Sequence, residues 1–139
     1  MYQLATFQDI AQNGESPKFV FAHILLPHPP YTWARDGSVR TEKMSAMEQY
    51  LEQVQYTGGY LLQMVDAIEE TDSIIIIQSD EGIAFGSPSA NKELSNNQWN
   101  GVLTAWRVPE GDVSEMQGVS ITGVLKFVIN SLTDEVPYF

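Results

Sequence analysis

The stretch SIIIIQSDEG, residues 73–82, sets four consecutive isoleucines ahead of two adjacent carboxylates, Asp80 and Glu81, and a glycine. Side chains branched at Cβ crowd a helix and suit a pleated backbone, so the tetrad predicts a strand. Apolar residues at every position, instead of every second one, also require cover on both faces. That is the condition of a strand in a parallel sheet sandwiched by helices. The run KFVFAHILL, residues 18–26, has the same two-sided character. Together the two runs confine the chain to a layered arrangement of strands and helices.

Between them lies the longest helical signal. From residues 45 to 70 the apolar side chains Met47, Leu51, Val54, Leu61, Val65 and Ile68 recur at spacings of three, four and seven, a single stripe for packing on a sheet. Gly58 and Gly59 interrupt it and imply a kink or a close backbone approach. PHPPY, residues 27–31, ends the first strand in a proline-stiffened turn carrying His28, and a polar loop follows over 32–41. Residues 82–98 are rich in Gly, Ser, Pro and Asn and read as a long loop, a length common in functional segments. WNGVLTAWRV, residues 99–108, is a third strand candidate. Residues 120–132 predict a helix with Ile121, Val124, Leu125, Val128 and Ile129 inward.

With 139 residues, 43% of them apolar, the chain buries one core. The expectation is one α/β domain over 18–139 after a polar lead, 1–17, with a partial, mostly parallel sheet of about three strands flanked by helices. Three strands are thin cover for two helices, so further strands are expected from outside this stretch. Seven basic against eighteen acidic residues leave a net charge of −11, which argues against nucleic acid or an anionic membrane surface as partner and favours a cation. The absence of cysteine excludes disulfides, thiolate metal sites and cysteine nucleophiles. No apolar segment reaches the roughly 20 residues of a membrane-spanning helix.

In parallel sheets ligands gather beyond the carboxyl ends of the strands. Both polar clusters lie at such ends: His28 after the first strand, Asp80 and Glu81 after the second. Carboxylates and an imidazole there suit a hard divalent cation, Mn, Mg or Ca, or else Zn. Equally, acids at a strand-to-loop junction serve as turn formers, and His28 as a surface residue of a rigid turn. On an alternating strand His23 shares a face with Phe19, Phe21 and Leu25, which predicts a hydrogen-bonded core histidine. Tyr50, Tyr56 and Tyr60 read as packing residues of the long helix. Nucleotide-binding, zincin, EF-hand and nucleophile-elbow motifs are absent, and Ser79, His28 and Asp80 form a triad in name only.

The succession FVFAHILLPHPPY, YLEQVQYTGGYLLQMVDAI, SIIIIQSDEG, WNGVLTAWRVPEGD and VSITGVLKFVINSL resembles the second half of a sulfatase-like domain of the alkaline phosphatase superfamily, in particular bacterial membrane-anchored sulfatase and lipoteichoic-acid-synthase-like proteins. The resemblance implies metal-dependent hydrolysis or transfer of a phosphate or sulfate ester, with a parent protein at the bacterial membrane facing the extracytoplasmic side. It implies that Asp80 is a metal ligand, that Glu81 stands in the position of the family's second ligand, a histidine, and that His28 lies near the transferred group. Asn100, Ala105 and Pro109 match scaffold positions. The family's nucleophile and opening acidic ligand come from an N-terminal half, and residues 1–17, with Thr6 and Asp9, supply no strand to present them. The isolated chain is therefore expected to be inactive. The alternative is a non-catalytic binding module, self-associating through an exposed sheet edge.

Overall fold

Ser45 opens the longest helix. Its hydroxyl accepts from the Glu48 amide (3.3 Å), and the Glu48 carboxylate accepts from the Ser45 amide (2.9 Å), a reciprocal capping box. In this computed structural model, which describes residues 2–13, 15–68, 71–83, 100–109 and 118–132, the elements run α1 (Tyr2–Asn13), α2 (Ala46–Asp66), β1 (Ile75–Gln78), β2 (Thr104–Arg107) and α3 (Ile121–Leu132). They fall into two compact units, Met1–Asp72 and Ser73–Phe139. The fold is mixed α/β.

In the first unit α1 lies against α2, and the Gln12 side chain donates to the carbonyl of Ala67 (3.1 Å) just beyond α2. The segment expected as a polar lead is thus mostly helical. Lys18 donates to the carbonyls of Ile10 (2.6 Å) and Ala11 (3.0 Å), placing a cation on the last turn of α1. The loop at 32–41 is a tight hairpin: Trp33 bridges Val39, the Arg40 amide donates to Thr32 (2.8 Å), and Gly37 turns the chain at a φ of 82°. A Cβ at Gly37 would stand 2.8 Å from Cε2 of Tyr56, so both conformation and space call for glycine.

The face that α2 buries only partly follows the expected stripe: Ile68 is buried and Val54, Leu61 and Val65 are half-buried. Gln53, Thr57, Tyr60 and Met64 are buried, whereas Met47 and Leu51 are 42% and 50% exposed. Besides α1, the hairpin and the proline turn pack on α2, and their carbonyls and aromatic rings select a polar-centred face at Gln53. Gly58 and Gly59 lie within the continuous helix with nothing within 4 Å of an added Cβ, so a close backbone approach does not account for them.

The second unit builds on the isoleucine run. β1 pairs antiparallel with β2, Ile76 opposite Trp106 and Ile77 opposite Ala105. On this pair sits α3, with Val124 fully buried and Val128 nearly so, packed among Ile74, Ile76, Trp106 and Val108. Leu125 and Ile129, expected inward, are exposed, because a two-stranded ribbon covers only one stripe of α3.

The mostly parallel three-stranded sheet is not shown. Among the described residues the strand pairing is the β1–β2 ribbon with the isolated Trp33–Val39 bridge, and residues 18–25 are assigned to no strand. A two-faced apolar strand needs neighbours on both edges and cover above and below. Without them Phe19 is 75% and Phe21 78% exposed, and His23 is exposed beside Phe21 instead of buried. The long loop expected at 82–98 falls largely outside the described residues.

Candidate functional site

The proline turn that bears His28 is fastened to α2 by one buried amide. Gln53 is fully buried, and its Nε2 donates to the carbonyls of Pro27 (3.2 Å) and His28 (3.0 Å), while its Oε1 accepts from the Trp33 amide (3.1 Å). One side chain thereby satisfies backbone groups on both sides of the turn. Aromatic contacts seal the same surface: Tyr31 meets Tyr50 edge-on at 5.8 Å between centroids, and Trp33 packs on Tyr56 at 5.8 Å. Burial, then the proximity of Tyr31, pushes the Tyr50 hydroxyl above the ordinary phenol range. Tyr50, Tyr56 and Tyr60 are packing residues.

Arg40 holds the hairpin from the other side. Its guanidinium donates to the Glu52 carboxylate (2.6 Å) and to the carbonyls of Trp33 (2.7 Å), Gln49 (3.1 Å) and Tyr31 (3.3 Å). A groove of about 380 Å³ alongside is lined by Arg35, Asp36, Ser38, Arg40 and Glu52 among others, and His28 does not line it. With Arg40 spent on the fold and charges of both signs on its walls, the groove selects no ligand class.

His28 itself is exposed, with its amide donating to Leu25 (2.8 Å) and its Nδ1 2.6 Å from the carbonyl of Pro29. A carbonyl only accepts, so Nδ1 carries the proton and Nε2 keeps the lone pair in the neutral ring. An imidazole so fixed is a base at Nε2 when neutral and a proton donor there when charged.

Asp80 and Glu81 follow β1 in the second unit. Ser79 secures the strand end, its amide donating to Leu103 (2.9 Å) and its Oγ accepting from the Leu103 amide (2.8 Å). Both acids are exposed, and Asp80 accepts from the Glu81 amide (3.1 Å). Among the described residues no three His, Asp or Glu side chains gather as metal ligands. Two carboxylates have the right oxygens for a hard cation but are well short of its six to eight ligands, so the acids by themselves do not fit a complete site. His28 and the acid pair belong to different units.

Sequence reasoning missed Gln53, Arg40 and the hairpin. Asp36-Gly37 carried a readable turn signal. A glutamine among tyrosines on a helix carried none. Comparison with family models, curated proteins and solved structures finds no match.

Proposed function

We propose that this chain is the C-terminal part of a sulfatase-like α/β domain. Its parent is a metal-dependent hydrolase or transferase acting on a phosphate or sulfate ester at the outer face of a bacterial membrane. The observation that carries the reading is a junction within one segment: an uncovered run, with Phe19, Phe21 and Leu25 all more than 70% exposed, leads directly into a braced, exposed histidine. An aliphatic and aromatic run of this kind fits a central parallel strand whose neighbours come from the rest of the domain, with His28 at its carboxyl end. The exposed Leu125, Ile129, Met47 and Leu51 are further surfaces that such a domain would cover.

In this reading Nε2 of His28, once protonated, stabilises the transferring group or gives its proton to the leaving oxygen. Asp80 and Glu81 would supply two oxygen ligands to a divalent cation, whose remaining ligands, like the nucleophile, would have to come from outside the described residues. No helix among the described residues is long and apolar enough to cross a membrane.

The test is a titration of the chain with Mn²⁺, reading paramagnetic broadening of backbone amide signals. Selective broadening at residues 80 and 81 that Asp80→Ala abolishes and Glu81→His strengthens is the expected result. Broadening spread evenly over the eighteen acids would sink the metal part of the reading. Turnover of an aryl phosphate or sulfate by this chain, lost in Asp80→Ala, would overturn the expectation that it is inactive alone.

The same exposed run favours a second reading, a non-catalytic module that pairs with another copy through residues 18–26. Light scattering separates the two: concentration-dependent dimers that Phe21→Lys removes favour the module, and a monomer at high concentration excludes it.

A further inference from the structure

The geometry points to Gln53 as the positioning residue for His28, fixing both the orientation and the tautomer of its imidazole; the functional weight of this rests on the ester-transfer reading above. The amide grips the carbonyls of Pro27 and His28 at 3.2 and 3.0 Å, so it holds the peptide planes on both sides of the histidine Cα. With those planes held, the Cα–Cβ bond of His28 has one direction, and that direction brings Nδ1 to 2.6 Å from the Pro29 carbonyl. The proton then stays on Nδ1, and Nε2 is the nitrogen left for a substrate oxygen. The other end of the amide, receiving the Trp33 amide at 3.1 Å, prevents the side chain from flipping, because only its oxygen can accept there. The turn, the hairpin and α2 thus meet at a residue with no exposed surface.

A glutamine chosen only to fill space would be replaceable by methionine or glutamate of similar size. A positioning glutamine would not, since Gln53→Met offers no hydrogen bonds and Gln53→Glu turns two donated bonds into carboxylate-carbonyl repulsion. Thr57 supplies the control: it is buried on the same face and its hydroxyl donates to the Gln53 carbonyl (2.7 Å), so Thr57→Val removes a hydrogen bond within α2 and leaves the bonds from Gln53 to the turn in place.

The experiment is ¹⁵N–¹H correlation of the His28 ring, at a pH where it is neutral, in the unsubstituted chain, Gln53→Glu, Gln53→Met and Thr57→Val. The expected result is a protonated Nδ1 in the unsubstituted chain and in Thr57→Val, and a switch to the proton on Nε2 in both Gln53 variants. An unchanged tautomer in a folded Gln53 variant overturns the proposal. If both variants unfold, exchange of the Gln53 side-chain amide protons in the unsubstituted chain decides: protection well above that of exposed glutamines such as Gln55 supports the clamp, and solvent-like exchange refutes it. Titration of the unsubstituted chain with inorganic phosphate tests the ester reading separately. Shifts centred on His28 support that reading, and their absence beside a tautomer switch in the Gln53 variants leaves the clamp standing while removing the ester role.

Discussion

The turn after residues 18–26 and the strand end after β1 both present polar side chains at the close of an apolar run, yet they are held in opposite ways. At His28 the apolar run itself is bare and the turn is rigidly braced by Gln53 and packed aromatic rings. At Asp80 and Glu81 the run is covered, with Ile74 and Ile76 beneath α3, but past Ser79 the bond that the acids show among the described residues is the local one from the Glu81 amide to Asp80. The first region has its polar geometry complete and its strand incomplete. The second has its strand made and its polar site unfinished. The difference teaches that a polar side chain at the end of an apolar run can be held either by its own loop or by the sheet under it, and each unit here shows one of the two.

The sharpest way to break this contrast is to cut the bracing of the first unit. Arg40 is 7% exposed and its partner Glu52 24%, so Arg40→Ala strands a carboxylate and several carbonyls. The expected cost is about 3 kcal/mol, read as faster hydrogen exchange of α2 amides with β1 and β2 unchanged. Equal loosening of both units would erase the contrast. A smaller effect follows at Gly37, where φ is 82° and Tyr56 blocks a Cβ. Gly37→Ala should cost about 1–2 kcal/mol in the same measurement, and Gly58→Ala, with open space around it, should be neutral or stabilising.

Where the chain's own neighbours decide structure, the sequence was informative. The isoleucine tetrad predicted β1, WNGVLTAWRV contained β2, and the periodic apolar residues located α2 and α3, since strand propensity and helical spacing are local properties. Val124 and Val128 were foreseeable as core for the same reason. Residues 18–26 were not, because a central strand is defined by partners, and the described residues provide none that make it one. The centre of the buried face of α2 was misplaced, at Met47 and Leu51, for a related reason. Hydropathy marks the aliphatic stripe, whereas the burying surface is a turn full of carbonyls that selects Gln53 and Thr57. Asp80 and Glu81 were legible as the residues that follow β1, whereas His28, expected at a strand end, follows a run assigned to no strand.

The smallest effects are in acid. The Ser45 hydroxyl and amide hold the Glu48 carboxyl below the ordinary glutamate range, and the Ser38 hydroxyl and amide do the same to Asp36. A folded-state value below the unfolded one gives stability that is present above the ordinary carboxyl range and is lost as pH falls through the folded value. Ser45→Ala should cost about 1 kcal/mol at neutral pH and flatten the part of the acid-side slope of α2 stability that arises at Glu48. A parallel slope in chain and variant would show that the cap does not set the Glu48 charge.

The central claim, that these residues complete a larger ester-transferring domain, is tested most directly by the size and membrane partition of the native protein. An antibody raised against this chain should detect, in source cells, a species much larger than 139 residues that sediments with membranes. A soluble species with the mass of these 139 residues alone would contradict the account and leave the self-associating module in its place.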